Sequence, residues 1–194
     1  MSSNALRLAV IIGSVRQGRF GPTVGRWVAS EAERFEQFEV DLIDLAEFRL
    51  SLDMTGEPIP GCRGSAEELR RRLGAADAFV VVTPEYNRSF PAALKNVIDH
   101  HKVEWYAKPV GLVSYGGIAG GLHAVENLRQ VFAEVRATTV RDTVSFHGGQ
   151  SAFDEDGAPV DQAGSSTAAK TMFEDLAWWA RALVEAKEKR PYLG

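Results

Sequence analysis

Cysteine is almost missing: Cys62 is the only one in 194 residues. A lone thiol closes no internal disulfide and builds no cysteine-based metal site. The composition therefore predicts a reducing, cytoplasmic setting. A basic surplus is missing too. Lys and Arg number 22 against 26 Asp and Glu, a formal net charge of -4. Nucleic-acid and membrane-surface binding usually need a clustered positive excess, so neither partner is expected. No apolar run is long enough for a membrane span, and "MSSNALRLAVIIGS" has too short a run for a signal peptide. Internal repeats, low-complexity tracts and linkers are lacking, which predicts one domain over 1–194. The four histidines form no ligand pattern. His100 and His101 are adjacent and cannot share a helix face as residues i and i+4 do. His123 follows a glycine cluster near the expected site, and His147 starts a loop.

What is present is an ordinary globular composition, 45% hydrophobic and 25% charged, with a regular alternation. Five apolar runs read as strands: 6–12, 40–45, 78–83, 109–115 and 138–146. Several are nearly continuous in apolar residues, which suits strands covered on both faces. Helical stripes lie between them. Val24, Trp27, Val28, Ala32 and Phe35 share one helix face, with Pro22 in the first turn. Ser65 and Glu68 read as a capping box. Pro91 opens a third helix, Leu122 to Val135 forms a fourth, and 165–190 a fifth, with Trp178 and Trp179 read as packing residues, one of them facing another subunit. Strand and helix alternate five times, the pattern of a doubly wound α/β sheet. Two long loops, 46–64 and 147–164, are read as shaping function or a partner contact.

Ligands of such sheets bind beyond the carboxyl ends of the strands. The first end leads into "GSVRQGRFGP" (13–22). A helix N-terminus, the Ser14 hydroxyl and the guanidinium groups of Arg16 and Arg19 predict an anion pocket, most naturally for a phosphate ester. Gly18 and Gly21 are read as leaving room for close backbone approach. Gly13 and Gly18 have the spacing of a nucleotide-triphosphate loop, but Arg19 and Phe20 stand where Lys and Ser or Thr are needed. That disfavours a P-loop phosphotransferase and favours a monophosphate on a larger ligand. The third strand ends in a turn at Tyr86-Asn87, and the fourth in four glycines within 116–121.

The stretches "GSVRQGRFGPTVGRWV", "TPEYNRSFPAALKNVIDH" and "SYGGIAGGLHAVENLRQVF" resemble the NADPH-dependent FMN reductases. These are flavodoxin-like proteins that include quinone, chromate and azo-dye reductases, and the resemblance runs over residues 6 to 146. It implies a three-layer α/β/α fold with a five-stranded parallel sheet in the order 2-1-3-4-5, FMN as cofactor and NADPH or NADH as hydride donor. It implies that Ser14, Arg16 and the Arg19–Phe20–Gly21 backbone hold the FMN phosphate. It places Pro84, Glu85, Tyr86 and Asn87 along the isoalloxazine ring, with Ser114, Tyr115, Gly116 and Gly117 at its other edge. Arg19 stands where many relatives carry a small hydroxyl residue. The implied reaction passes a hydride to FMN and electrons on to a small-molecule acceptor: flavin, quinone, azo dye or metal oxyanion. No catalytic acid, base or metal is called for. The implied assembly is a homodimer or homotetramer through the helix after "PEYN". The alternative is a flavodoxin-type electron carrier, which holds FMN without oxidising NAD(P)H.

Overall fold

The computed structural model describes residues 5–48, 50–53 and 63–193. Cys62 and much of the 46–64 loop lie outside that set. Five strands alternate with five helices: β1 Leu6–Ile12, α1 Gly21–Arg34, β2 Phe38–Asp44, α2 Arg63–Ala75, β3 Ala78–Pro84, α3 Ala92–His100, β4 Pro109–Gly116, α4 Leu122–Glu134, β5 Thr138–His147 and α5 Gln162–Lys189. The sheet order is β2-β1-β3-β4-β5, and every pairing is parallel. This is the predicted flavodoxin-like topology.

The period-two alternation of the strands explains the layering. Leu8, Val10, Val80, Val82, Val113 and Val144 face one side, against Val24, Val28 and Ala32 of α1 and Met172, Phe173 and Leu176 of α5. Ala9, Ile11, Phe79, Val81 and Leu112 face the other, against Leu69 and Leu73 of α2, Leu94 and Ile98 of α3, and Leu128 and Phe132 of α4. β3 lies in the middle and is buried at all seven positions, as its unbroken apolar run requires. The register brings Ile12 level with Asp44 and Val82, Pro84 level with Tyr115, and Gly116 level with His147. The carboxyl ends of all five strands thus finish at one edge.

Several sequence expectations change here. α2 begins at Arg63, so Ser65 lies inside the helix and is not its cap. Glu68 instead accepts from Arg71 Nε and Nη2 at 3.1 and 2.7 Å. The 147–164 segment is not one open loop. It holds a 3-10 turn at Gly149–Ala152 and a bridge between Phe153 and Pro159, and α5 starts already at Gln162, capped by the Asp161 carboxylate. His100 bonds the Ser51 carbonyl through Nε2 at 2.8 Å, while His101 is buried and bonds the Val97 carbonyl through Nδ1. Trp179 packs on the α1–α5 core, but Trp178 is 63% exposed. No described helix is long and apolar enough to cross a membrane.

Candidate functional site

The first corner forms where β1 gives out at Gly13, whose amide donates to the Val82 carbonyl at 2.8 Å. Between Ser14 and Phe20 the chain satisfies little of itself. Arg19 N donates to Arg16 O, but the amides of Ser14, Val15, Arg16, Gln17 and Gly18 meet no protein acceptor among the described residues. Ser14 is buried while residues 15–18 face solvent, so the run leaves its N–H groups open to an incoming anion. Gly18 takes a left-handed conformation, φ +67°, with open space around it. α1 then points its own free N–H groups at the same place.

Ser14 is fully buried, and its hydroxyl lies 3.2 Å from the Tyr115 hydroxyl at the end of β4. Gly21 closes on this pair: a Cβ there would stand 2.4 Å from Ser14 Oγ and 3.0 Å from Tyr115 Oη. The glycine therefore serves helix–strand packing beneath the loop, not the ligand-side clearance read from the sequence. Burial pushes the Tyr115 phenol up to about 12, against the bond from Ser14 and the nearby Arg19 and Arg16. The phenol is neutral at physiological pH. An unfolded tyrosine ionises near pH 10. Between pH 10 and 12 the unfolded chain has released this proton while the folded chain keeps it. The stabilisation is whole below pH 10 and is lost as pH rises through 12, about 2–3 kcal/mol for this group. Urea unfolding of wild type and Tyr115→Phe across that window checks it: the variant is expected to lack this part of the alkaline decline.

The two arginines differ in state. Arg19 Nη2 is paired with Asp44 at the end of β2, leaving its buried Nε without a partner. Arg16 is exposed and pairs with no carboxylate among the described residues. Arg16 is thus the uncompensated cation of the corner, and Arg19 offers one orphaned N–H.

The second corner is a two-residue hairpin. Tyr86 and Ser89 exchange backbone bonds of 2.8 and 3.0 Å, with Asn87 and Arg88 both left-handed at φ 50° and 64°. Asparagine tolerates that conformation and arginine does so at a cost. Asn127 of α4 holds the tip by donating to the Arg88 carbonyl at 2.7 Å.

The third corner is the glycine loop 116–121. Ser114 and Ser145 both donate hydroxyl bonds of 2.8 Å to the Gly120 carbonyl. His147 Nδ1 bonds the Ile118 carbonyl at 3.0 Å, and Gly148 N donates to the Gly117 carbonyl. The amides of Gly117, Ile118 and Ala119 have no protein acceptor among the described residues. This is a second run of free donors.

A cleft of about 170 Å³ lies between the first two corners, the end of β4 and the turn after β5. Arg16, Gly18, Arg19 and Phe20 line it from the first corner, Pro84 and Tyr86 from the second, and Tyr115 from the end of β4. Ser14 and Ser114 are both fully buried beneath their loops and act as struts. Gly21 stands under the loop, Asn87 is at the hairpin tip, and Gly116 and Gly117 lead into the free-amide run. Glu85 turns away from the cleft to His123. Two lining residues were missed from sequence, Gly149 and Gln150. Their signal was the "HGGQ" after β5, a paired glycine at a strand end like those at 116–117. These features suit a flat phosphorylated ligand: an amide cradle, one free guanidinium, an orphaned buried Nε, and aromatic walls.

Comparison with known proteins points the same way. The family described as NADPH-dependent FMN reductase matches residues 6–151. An NAD(P)H-dependent FMN reductase of Schizosaccharomyces pombe is 42% identical over 120 residues, covering 59% of this chain and 60% of that protein. The match thus spans less than two thirds of that relative's length. An NAD(P)H-dependent FMN reductase of Saccharomyces cerevisiae is 33% identical over 149 residues, covering 70% and 78%. Among solved structures, the flavoenzyme NAD(P)H:(acceptor) oxidoreductase FerB of Paracoccus denitrificans superposes with a TM-score of 0.72 at 21% identity, over 92% of this chain and 98% of that one.

Proposed function

The chain belongs to the NADPH-dependent FMN reductase family, and from that premise we propose that it is an NAD(P)H-dependent FMN oxidoreductase with its flavin in the cleft at the ends of β1, β3 and β4. Bound FMN supplies the redox chemistry, accepting reducing equivalents from NAD(P)H and passing them to a flavin, quinone, azo or metal-oxyanion acceptor. The protein's part is holding and polarising. The amides of 14–18 and the Arg16 guanidinium hold the phosphate. The Arg19 Nε–H adds one donor, while the Asp44 pair fixes its direction. The amides of 117–119 meet the polar rim of the ring, where donors fixed in advance stabilise charge without reorganising. Tyr86 and Phe20 give apolar surface for the flat heterocycle. Burial holds the Tyr115 phenol neutral, and the Glu85 carboxylate is turned to His123. The assembly is a homodimer or homotetramer in the cytoplasm, as family resemblance implies. A monomer by light scattering at micromolar concentration would count against that.

The observation that carries the reading is one cleft lined by the uncompensated Arg16, the free amide of Gly18 and the rings of Phe20, Tyr86 and Tyr115, with a second free-amide run at the same edge of the sheet. Its test is the visible spectrum of the purified protein with added FMN, before and after anaerobic NADPH. The expected result is tight FMN uptake and rapid bleaching. Uptake without bleaching would make the chain an electron carrier, and no uptake would sink the reading. Arg16→Ala is expected to weaken FMN binding by roughly 1.5–3 kcal/mol, the range for a hydrogen bond to a charged group. Unchanged affinity in a fluorescence titration would remove Arg16 from the phosphate site.

A further inference from the structure

α4 starts at Leu122, behind Gly121. Gly121 sits at φ +91°, and a Cβ there would lie 2.5 Å from Ser114 Cβ. The Ser, Thr, Asp or Asn that ordinarily caps a helix is therefore excluded, and α4 has no side-chain cap of its own. The cap comes from another strand. Glu85, just past β3, accepts the His123 backbone N–H on Oε2 at 3.2 Å and meets His123 Nδ1 with Oε1 at 2.9 Å. The carboxylate can only accept, so Nδ1 carries the proton. The Glu85 side chain is 15% exposed and takes no part in lining the cleft. Four residues further on, on the same helix face, Asn127 holds the Arg88 carbonyl. One stripe of α4 therefore grips the 84–89 hairpin at two points. The side-chain tethers inside the glycine loop, Ser114, Ser145 and His147, come from β4 and β5. Glu85 is the tether from β3.

We propose that Glu85 is a positioning residue that acts through His123, locking the hairpin to the glycine loop so that the free amides of Gly117, Ile118 and Ala119 stay aimed at the flavin rim. The proposal rests on the FMN reading. It differs from a charge effect of the carboxylate on the ring, because a neutral Glu85→Gln side chain still offers an oxygen to the helix, and its amide donates to Nδ1 once the imidazole carries its proton on Nε2 instead.

The experiment compares wild type with Glu85→Ala, Glu85→Gln and His123→Ala. FMN affinity is read by fluorescence titration, the midpoint potential by dye equilibration, and amide hydrogen exchange over 117–123 in the flavin-free protein. Glu85→Ala is expected to bind oxidised FMN about tenfold more weakly, in line with loss of a helix cap. It is expected to bind the reduced form about a hundredfold more weakly, lowering the potential by about 30 mV, the equivalent of the extra factor of ten for a two-electron couple. Exchange over 117–123 should quicken in the same variant. Glu85→Gln should restore all three readouts, and His123→Ala should fall between. Wild-type behaviour from Glu85→Ala would overturn the proposal. So would a Glu85→Gln protein indistinguishable from Glu85→Ala, which would make charge the cause. If wild type bound no FMN, the functional reading would fail and the positioning role with it, while the exchange contrast would still report whether Glu85 holds the loop.

Discussion

Gly21→Ala is expected to lower FMN affinity by about a hundredfold, the scale on which a displacement of about 1 Å at a binding or reacting centre is felt. The added methyl would be placed 2.4 Å from Ser14 Oγ, 2.9 Å from Ile12 Cγ2 and 3.0 Å from Tyr115 Oη. None of the three can step aside. Ser14 and Ile12 are buried, and Tyr115 is 7% exposed and packed edge-on against Phe20. The first turn of α1 must therefore lift, and it takes with it the loop whose amides face the phosphate. Overpacking costs about 1–3 kcal/mol in stability as well. A fluorescence titration checks the affinity and thermal melting checks the fold. Wild-type FMN affinity in this variant would show that α1 can shift without moving the phosphate loop.

Gly121→Ala is expected to destabilise the protein by about 3–5 kcal/mol, more than any exposed-surface change. Two costs add. A left-handed φ imposes about 1–3 kcal/mol on a residue with a Cβ. The clash with Ser114, 2.5 Å to its Cβ and 2.9 Å to its Oγ, adds overpacking of similar size. Displacing Ser114 also loosens its bond to the Gly120 carbonyl. At about 2–4 °C per kcal/mol for a chain of this size, melting should fall by about 10 °C. Gly74→Ala is the contrast. Gly74 lies within α2, and nothing stands within 4 Å of its added Cβ, so stability should hold or rise slightly. Equal losses in the two variants would mean that the tight contact at Gly121 relaxes freely.

Local pattern carried the architecture. The continuous apolar run at 78–83 suits a strand covered on both faces, and it lies at the centre of the sheet. The helix stripes fell on the observed core faces because a 3.6-residue period is a property of adjacent residues. The site was legible only in part, for the same reason turned round. Arg19 was visible as a cation, but its neutralising partner Asp44 lies 25 residues away and is brought near only by β1–β2 pairing. Glu85 was visible beside Tyr86, but its partner His123 is 38 residues off. A side chain's direction depends on such partners, and one-dimensional pattern does not contain them. Ser65 misled because a cap signature and an interior helical serine look alike when Arg63 and Gly64 give no contrary sign. Gln150 escaped because β5 ends in a segment whose compact 3-10 turn read as an open loop.

The hairpin at Tyr86–Ser89 has a consequence for how this protein can diverge. Its two-residue tip is set by a mutual pair of backbone bonds, and Asn127 holds the Arg88 carbonyl within it. One residue inserted or deleted there would break that pair and draw the Arg88 carbonyl away from Asn127, whereas exchanging Asn87 for glycine would leave the geometry intact. Lineages descended from this sequence should thus vary the tip's chemistry but hold its length constant. Changes of length should gather instead beyond Phe153, where no cleft-lining side chain depends on the count.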